Sequence, residues 1–302
     1  MNIKFFKYIL LLGIILALGW YFFIKGHDYK IIFETTQAPG IVYSTLTGWN
    51  NWEPTTNKVV KTISKRPFTN LSQELSISSD SLISIDWVIK RKNDSTTQVT
   101  ALLTDKNHSF YQKLRVPFFK TDFVKCALST LKHIKEGLII HKSEYKLSHV
   151  SQSTIPKQYG VYMSLESSLH DKANQMIKHA GVLMQYIREN NIKISGDPFV
   201  EVTHWNLQED TINFDFCFPI SKQDSMPISK NIHIKALQEK AALKILFNGN
   251  YRVSDRAWFT LLDYAETNHI DIKKLPIEIF KNDPHSGESE LTWEAEVYIP
   301  IN

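Results

Sequence analysis

Uncharged apolar residues fill positions 8–24, and period-two alternation takes over behind them. As a helix this run of about 17 residues is ~26 Å long at ~1.5 Å per residue, enough to cross a bilayer core of about 30 Å with slight thinning. Ala17-Leu18-Gly19 has the small residues of a signal-peptide cleavage site. The apolar run nevertheless continues through Trp20, Tyr21, Phe22 and Phe23, aromatics suited to a membrane interface, and predicts an uncleaved anchor. Beyond it, residues 31–34, 71–77, 82–90 and 97–103 alternate as strands, with Asn93-Asp94-Ser95 as the turn of a hairpin. A short helix or turn is expected at 38–46. Phe123, Ala127, Leu128, Leu131 and Ile134 then recur at helical spacing within 119–138, a long helix closing the first half over its strands.

Residues 142–157 are polar without clear period and read as a linker. After them Leu165, Leu169, Ala173, Met176, Ile177, Ala180, Leu183, Met184 and Ile187 predict one long helix ending near Asn190-Asn191, followed by strands at 199–205 and 211–218. A pattern then repeats. R-E-N-N-I-K at 188–193, P-F-V-E-V at 198–202 and F-D-F-C-F-P-I at 214–220 match A-E-T-N-H-I at 265–270, P-I-E-I-F at 276–280 and A-E-V-Y-I-P-I at 295–301. Three matches in one order predict a duplicated strand-helix-strand-strand unit. The fold class expected is α+β, with the anchor at 1–27, a first domain at 28–145 and a duplicated βαββ domain at 155–302.

Strand parity then nominates a site, because alternate side chains of a strand share a face. In the last strand Trp293, Ala295, Val297 and Ile299 form the apolar parity, and Glu294, Glu296 and Tyr298 face the other way. With Ile277 and Ile279 taken as the core side, Glu278 and Phe280 join the acidic and aromatic face. The two Pro-Ile endings align Asp215 with Glu296, each four residues before its proline. A cleft at a pseudo-twofold axis, walled by Trp205, Tyr251, Trp258, Phe280 and Tyr298 and carrying these carboxylates, suits a flat apolar or cationic ligand. Against this stands the plain alternative, in which acidic residues of a half-exposed strand are solvated and the aromatics are packing.

Composition narrows the function classes. The charge of +4 comes from 35 basic and 31 acidic residues dispersed along the chain, with no concentrated basic stretch of the kind nucleic-acid binding needs, so no nucleic-acid partner is expected. Two distant cysteines, Cys126 and Cys217, make neither a disulfide framework nor a paired-thiolate metal site. No G-x-S-x-G elbow, phosphate loop, H-E-x-x-H or C-x-x-C occurs, and Ser143-Glu144-Tyr145-Lys146 fits S-x-x-K without its companion motifs. No metal or cofactor is called for. Lys4 and Lys7 precede the apolar run and Lys25 and Lys30 follow it, so flanking charge does not orient it. The short head predicts a single-pass anchor with the soluble body on the non-cytoplasmic side.

At N-N-I-K-I-S-G-D-P-F (190–199), H-W-N (204–206), F-P-I (218–220), F-N-G-N-Y (247–251) before Trp258, P-I-E-I-F with N-D-P (282–284) and E-V-Y-I-P-I (296–301), the sequence resembles the GyrI-like effector-binding family. This is the SOUL-like βαββ duplication found at the C-terminus of AraC- and MerR-type regulators and as a free-standing protein. The resemblance covers about 145 residues. It implies a central cleft for lipophilic, often cationic, compounds, with an acidic residue of the final strands meeting the ligand; Glu296 matches best and Glu278 next. The chain departs from the regulators in carrying an anchor and an α+β domain where they carry a helix-turn-helix. The first half more weakly resembles the polyketide-cyclase or START-like (SRPBCC) helix-grip family, through Trp49, Trp52 and Pro54, the strand Ser84-Ile85-Asp86-Trp87, the hairpin and the closing helix.

The function expected is a membrane-anchored protein that binds or senses a lipophilic small molecule, cations among the candidates. The alternative is a hydrolase of electrophilic small molecules, with Glu278 and Glu296 as general base and acid in the same cleft. A scaffold that meets a protein partner through its strands would need no small-molecule pocket.

Overall fold

Alternation becomes sheet in both halves of the computed structural model, which describes all residues except 1–2, 50–59, 79–80, 94, 223–226, 228, 285–286 and 288. Trp52, Pro54 and Asp94 lie outside the described residues. The chain divides into two compact units, Met1–Leu138 and Ile139–Asn302.

The first unit begins with α1 (Ile3–Gly19), whose end widens over Trp20–Ile24 into i→i−5 pairing, Lys25 N donating to Trp20 O at 2.8 Å. The stretch Phe6–Ile24 is long and apolar enough to cross a membrane. Then come β1 (Tyr29–Thr35), α2 (Pro39–Thr47), β2 (Val60–Arg66), β3 (Asn70–Ser78), β4 (Ser81–Asn93), β5 (Thr96–Asp105), α3 (Ser109–Arg115) and α4 (Asp122–Ser143). The strands form one antiparallel sheet in the order β1-β5-β4-β3-β2. Val99, Ala101 and Leu103 of β5, and Ile83, Ile85, Trp87 and Ile89 of β4, put one parity inward. Val42 and Leu46 of α2 and Phe123, Ala127, Leu131, Ile134 and Leu138 of α4 cover that parity. The indole N–H of Trp87 donates to Gln73 Oε1 (2.9 Å) and Gln73 Nε2 to Leu46 O (3.0 Å), so the buried Trp87 and Gln73 side chains bond within the core. Trp49 packs against the same core, and a Cβ at Gly137 would sit 2.7 Å from its ring. β2 and α3, which carry no clean period in sequence, are additions to the expected elements.

The second unit contains β6 (Tyr145–Leu147), β7 (Ser151–Ile155), β8 (Gln158–Ser168), α5 (Lys172–Glu189), β9 (Phe199–Asn206), β10 (Thr211–Pro219), β11 (His233–Leu237), β12 (Lys240–Gly249), α6 (Asp255–Thr267), β13 (Ile277–Phe280) and β14 (Glu294–Pro300). Two expectations are corrected. Leu165 belongs to strand β8 and Leu169 to the turn after it, not to the long helix, because their spacing fits a strand running into a turn as well as it fits a helix. The polar segment 142–157 carries β6 and β7, both paired with β12. Hydrogen bonding to a neighbouring strand orders this segment, a pairing that a periodicity reading cannot detect.

The nine-stranded sheet runs β11-β8-β10-β9-β13-β14-β12-β6, with β7 also on β12. Its order is that of two β-α-β-β units, β8-α5-β9-β10 and β12-α6-β13-β14, meeting at the antiparallel pair β9/β13. The repeat extends to backbone detail. Both helices end on a residue with positive φ, Asn191 (51°) and His269 (55°), and Ile192 N→Ile187 O and Ile270 N→Ala265 O are each 2.9 Å. Isolated bridges Ile194↔Ile220 and Ile272↔Ile301 then close each unit in the same way.

Candidate functional site

Register decides which predicted site residues share a face. At the junction of the repeats Glu278 pairs with Val200, flanked by Ile277↔Glu201 and Ile279↔Phe199. Pro198 and Pro276 begin the two equivalent strands, so Val200 and Glu278 are also equivalent positions, and the pseudo-twofold axis passes between them. On the other side β13 pairs Glu278 with Val297 and Ile279 with Glu296. Directly opposed residues project to the same side of a sheet. Glu278 therefore shares its face with Val297 and Phe280, and Glu296 shares the opposite face with Ile277 and Ile279.

This overturns the expected cleft wall. The expectation that Ile277 and Ile279 face the helices holds only if one face of the sheet is apolar, and here both faces are. Phe199, Cys217, Ile277, Ile279 and Tyr298 form a buried cluster on Glu296's face, joined by Ile155 and Leu237 from the two flanks of the sheet. Glu278 and Glu296 are therefore not assembled as a carboxylate pair.

The helix-side face holds Glu278, Phe280, Trp205, Trp258 and Tyr251. Glu278 is fully buried. Its Oε1 accepts the indole N–H of Trp258 on α6 at 2.6 Å, and its Oε2 pairs with Lys172 Nζ on α5 at 2.5 Å. Lys172, 1% exposed, also donates to Ser254 Oγ at 2.9 Å and lies 4.5 Å from the centre of the Trp258 ring. The Ser254 hydroxyl in turn donates to Tyr251 O at 2.9 Å. Trp205 meets Trp258 edge to face at 5.3 Å, and Tyr251 stacks obliquely on Phe280 at 4.8 Å. Burial, with the charges of Glu278, Glu294 and Asp197, pushes the Tyr251 hydroxyl up to about 12 against its bond to Asn282. The Trp205 indole N–H is buried without a hydrogen-bond partner.

Asp215, Glu296 and Tyr298 lie on the other face, in two clusters at repeat-related positions with inverted charge. Asp215 and Glu201 share Lys235, and Ser164 Oγ donates to Asp215 at 2.7 Å. Glu296 is shared by Lys244 (2.6 Å) and Lys281 (3.2 Å) and accepts the Tyr298 hydroxyl at 3.1 Å. Burial opposes the Glu296 charge, but the two lysines outweigh it and hold the carboxyl below its ordinary range. A carboxylate so held is poorly suited to act as a general acid. Among the described residues no group of His, Cys, Asp and Glu is arranged to hold a metal ion.

Lys172 is the site residue that sequence reasoning missed. A signal existed: it continues the row Ile187, Leu183, Met176 along the buried side of α5, where a lysine is out of place.

Residues 149–302 match the family model described as the GyrI-like small molecule binding domain. Among solved structures, the EcmrR C-terminal domain is 18% identical, with a TM-score of 0.44 over 51% of this chain and 97% of its own. A hydrolase from Listeria innocua is 8% identical, with a TM-score of 0.34 over 51% of this chain and 91% of its own. SAV2435, solved bound to tetraphenylphosphonium, is 12% identical, with a TM-score of 0.34 over 51% of this chain and 94% of its own. No curated protein matches the chain. Nothing in these comparisons carries the helix-grip resemblance of the first half.

Proposed function

Because this chain belongs to the GyrI-like small-molecule-binding family, we propose that its second half captures a lipophilic cation against Glu278, in the place now taken by the ammonium of Lys172. The observation that supports this is that Lys172 Nζ already makes the contacts such a ligand needs: a buried carboxylate at 2.5 Å and an indole face at 4.5 Å. Trp205, Tyr251 and Phe280 supply aromatic surroundings. A bulky cation entering between α5 and α6 would displace Lys172, whose long side chain swings out with the first turn of its helix. The hydrolase reading loses its premise, since Glu278 and Glu296 occupy opposite faces and Glu296 stays ionised.

The test is a thermal-shift titration of the soluble chain from Gly26 onward with tetraphenylphosphonium and with neutral triphenylmethane. The cation is expected to stabilise the wild-type protein and Glu296→Gln equally, and to lose its effect in Glu278→Gln, each variant compared with its own ligand-free midpoint. Loss of the effect in Glu296→Gln with retention in Glu278→Gln would move the site to the other face. We further infer that residues 8–24 anchor the chain in a membrane, with the binding domain displayed on the non-cytoplasmic side; the length and apolarity of Phe6–Ile24 support the anchor.

A further inference from the structure

The short helix α3 is inside out. Gln112 and Lys113 are each 7% exposed, while Phe110, Tyr111 and Leu114 lie open at 63%, 48% and 52%. The turn after it adds Phe118 at 77% and Phe119 at 61%. Five large apolar side chains within ten residues, turned away from the fold while a lysine and a glutamine are turned into it, describe a surface that does not face water.

The buried polar residues show where this surface sits. Gln112 bonds to Asp105 and Thr121. Lys113 reaches back to the end of the apolar helix, donating to Phe22 O (3.1 Å) and Lys25 O (2.7 Å), and its own carbonyl accepts the Tyr21 hydroxyl at 2.9 Å. Carbonyls at a helix end lack intrahelical donors, so this reciprocal bonding joins α3 firmly to the exit of the span. The Phe22 and Phe110 rings are 5.2 Å apart. The 19 residues of Phe6–Ile24 reach ~28 Å at ~1.5 Å each, close to the ~30 Å of a hydrocarbon core. Phe22 therefore lies at the membrane boundary, and Phe110 lies there with it.

We propose that α3 and Phe118-Phe119 form a second membrane contact, lying in the bilayer interface beside the span and selecting anionic lipid. This rests on the reading of residues 8–24 as an anchor. The aromatic and leucine side chains enter the acyl boundary. Arg115, whose guanidinium stacks over the Tyr111 and Phe119 rings at 5.2 and 5.5 Å, and the exposed Lys120 meet the phosphates. The first domain is then held on the membrane at two points.

Full-length protein in the Cys126→Ser background, reconstituted in phosphatidylcholine vesicles with and without phosphatidylglycerol, tests this. A fluorescent thiol label is placed singly by Leu114→Cys, Phe118→Cys, Ile15→Cys and Lys92→Cys. Lys92 stands at the far end of the sheet: β1 pairs Tyr29 with Leu103 beside the span and Thr35 with Thr97 beside the hairpin, roughly 20 Å further on at ~3.3 Å per residue. Lipid-borne nitroxide is expected to quench labels at 114 and 118 several-fold more than at 92, aqueous iodide to show the reverse order, and phosphatidylglycerol to deepen the contrast. Iodide quenching at 114 and 118 equal to that at 92, with the label at 15 still quenched from the lipid, would overturn the second contact and leave the anchor. A label at 15 unquenched from the lipid would remove both.

Discussion

Lys172 occupies an unfavourable place for a cation. It is the first residue of α5, where the helix dipole is positive, and it is buried. Only a partner of opposite charge makes that tolerable, and Glu278 is that partner. Burying the pair costs desolvation on both sides, so its contribution to stability is small compared with the cost of breaking it. Lys172→Met should therefore destabilise the second unit by about 3–5 kcal/mol in urea unfolding, and adding Glu278→Gln, which keeps an acceptor for Trp258, should restore most of the loss. A single substitution costing under ~1 kcal/mol would show that the pair is not a coupled buried unit. The residue types of the site were legible in the sequence; its partnerships were not. Glu278 and Glu296 look alike in their strands, yet one is matched by a single lysine beneath the helices and the other by Lys244 and Lys281 on the opposite face. The row along α5 marks Lys172 as out of place, but no local pattern says which carboxylate any of these lysines meets.

Among the elements, legibility follows the clarity of the period rather than length: the long strands β8 and β12 are not marked by one, and Leu165 of β8 fits a helical row as well. β3, β4, β5, α4, β9, β10 and β14 follow their own alternation or helical stripe. β6 and β7 do not, because most of their side chains are polar and their order comes from hydrogen bonds to β12. Gly249 allows the first of these pairings, since a Cβ there would lie 2.9 Å from Tyr145 Cβ. Tyr145 also stacks on Phe247 at 6.0 Å, and Ile155 of β7 is fully buried in the cluster beneath β13. We place the start of the binding domain at Glu144 for this reason. A fragment 144–302 should unfold cooperatively as a monomer. A fragment 157–302 should lose at least ~3 kcal/mol, from the burial of Ile155 and its neighbours, and associate through the bared edge of β12. Equal unfolding midpoints and equal elution volumes would show that the two strands are dispensable. Helix α3 fails in the opposite sense: its apolar positions were visible, but their outward direction depends on which side of the helix the sheet of the first unit occupies.

Along the whole chain the order is a long apolar helix, a first α+β unit and a duplicated small-molecule-binding unit. The proposed orientation puts the C-terminus outside the cytoplasm. A reporter fused after Asn302 that is active only outside the cytoplasm is the expected result, and activity confined to the cytoplasm would reverse the orientation. The sequence by itself determined the long apolar helix, the α+β class and the duplication, because each is written in local periodicity or in order along the chain. Both helix ends, both Pro-led strands and both Pro-Ile endings recur, and the backbone repeats them down to the positive φ of Asn191 and His269. Tertiary structure alone decided which side of the sheet each acidic residue faces. Parity says that Glu278 and Ile277 oppose one another across a strand, but it cannot say which face the helices cover when both faces are apolar. That choice rests on the pairing of β13 with β9 and β14, residues brought together from widely separated parts of the chain.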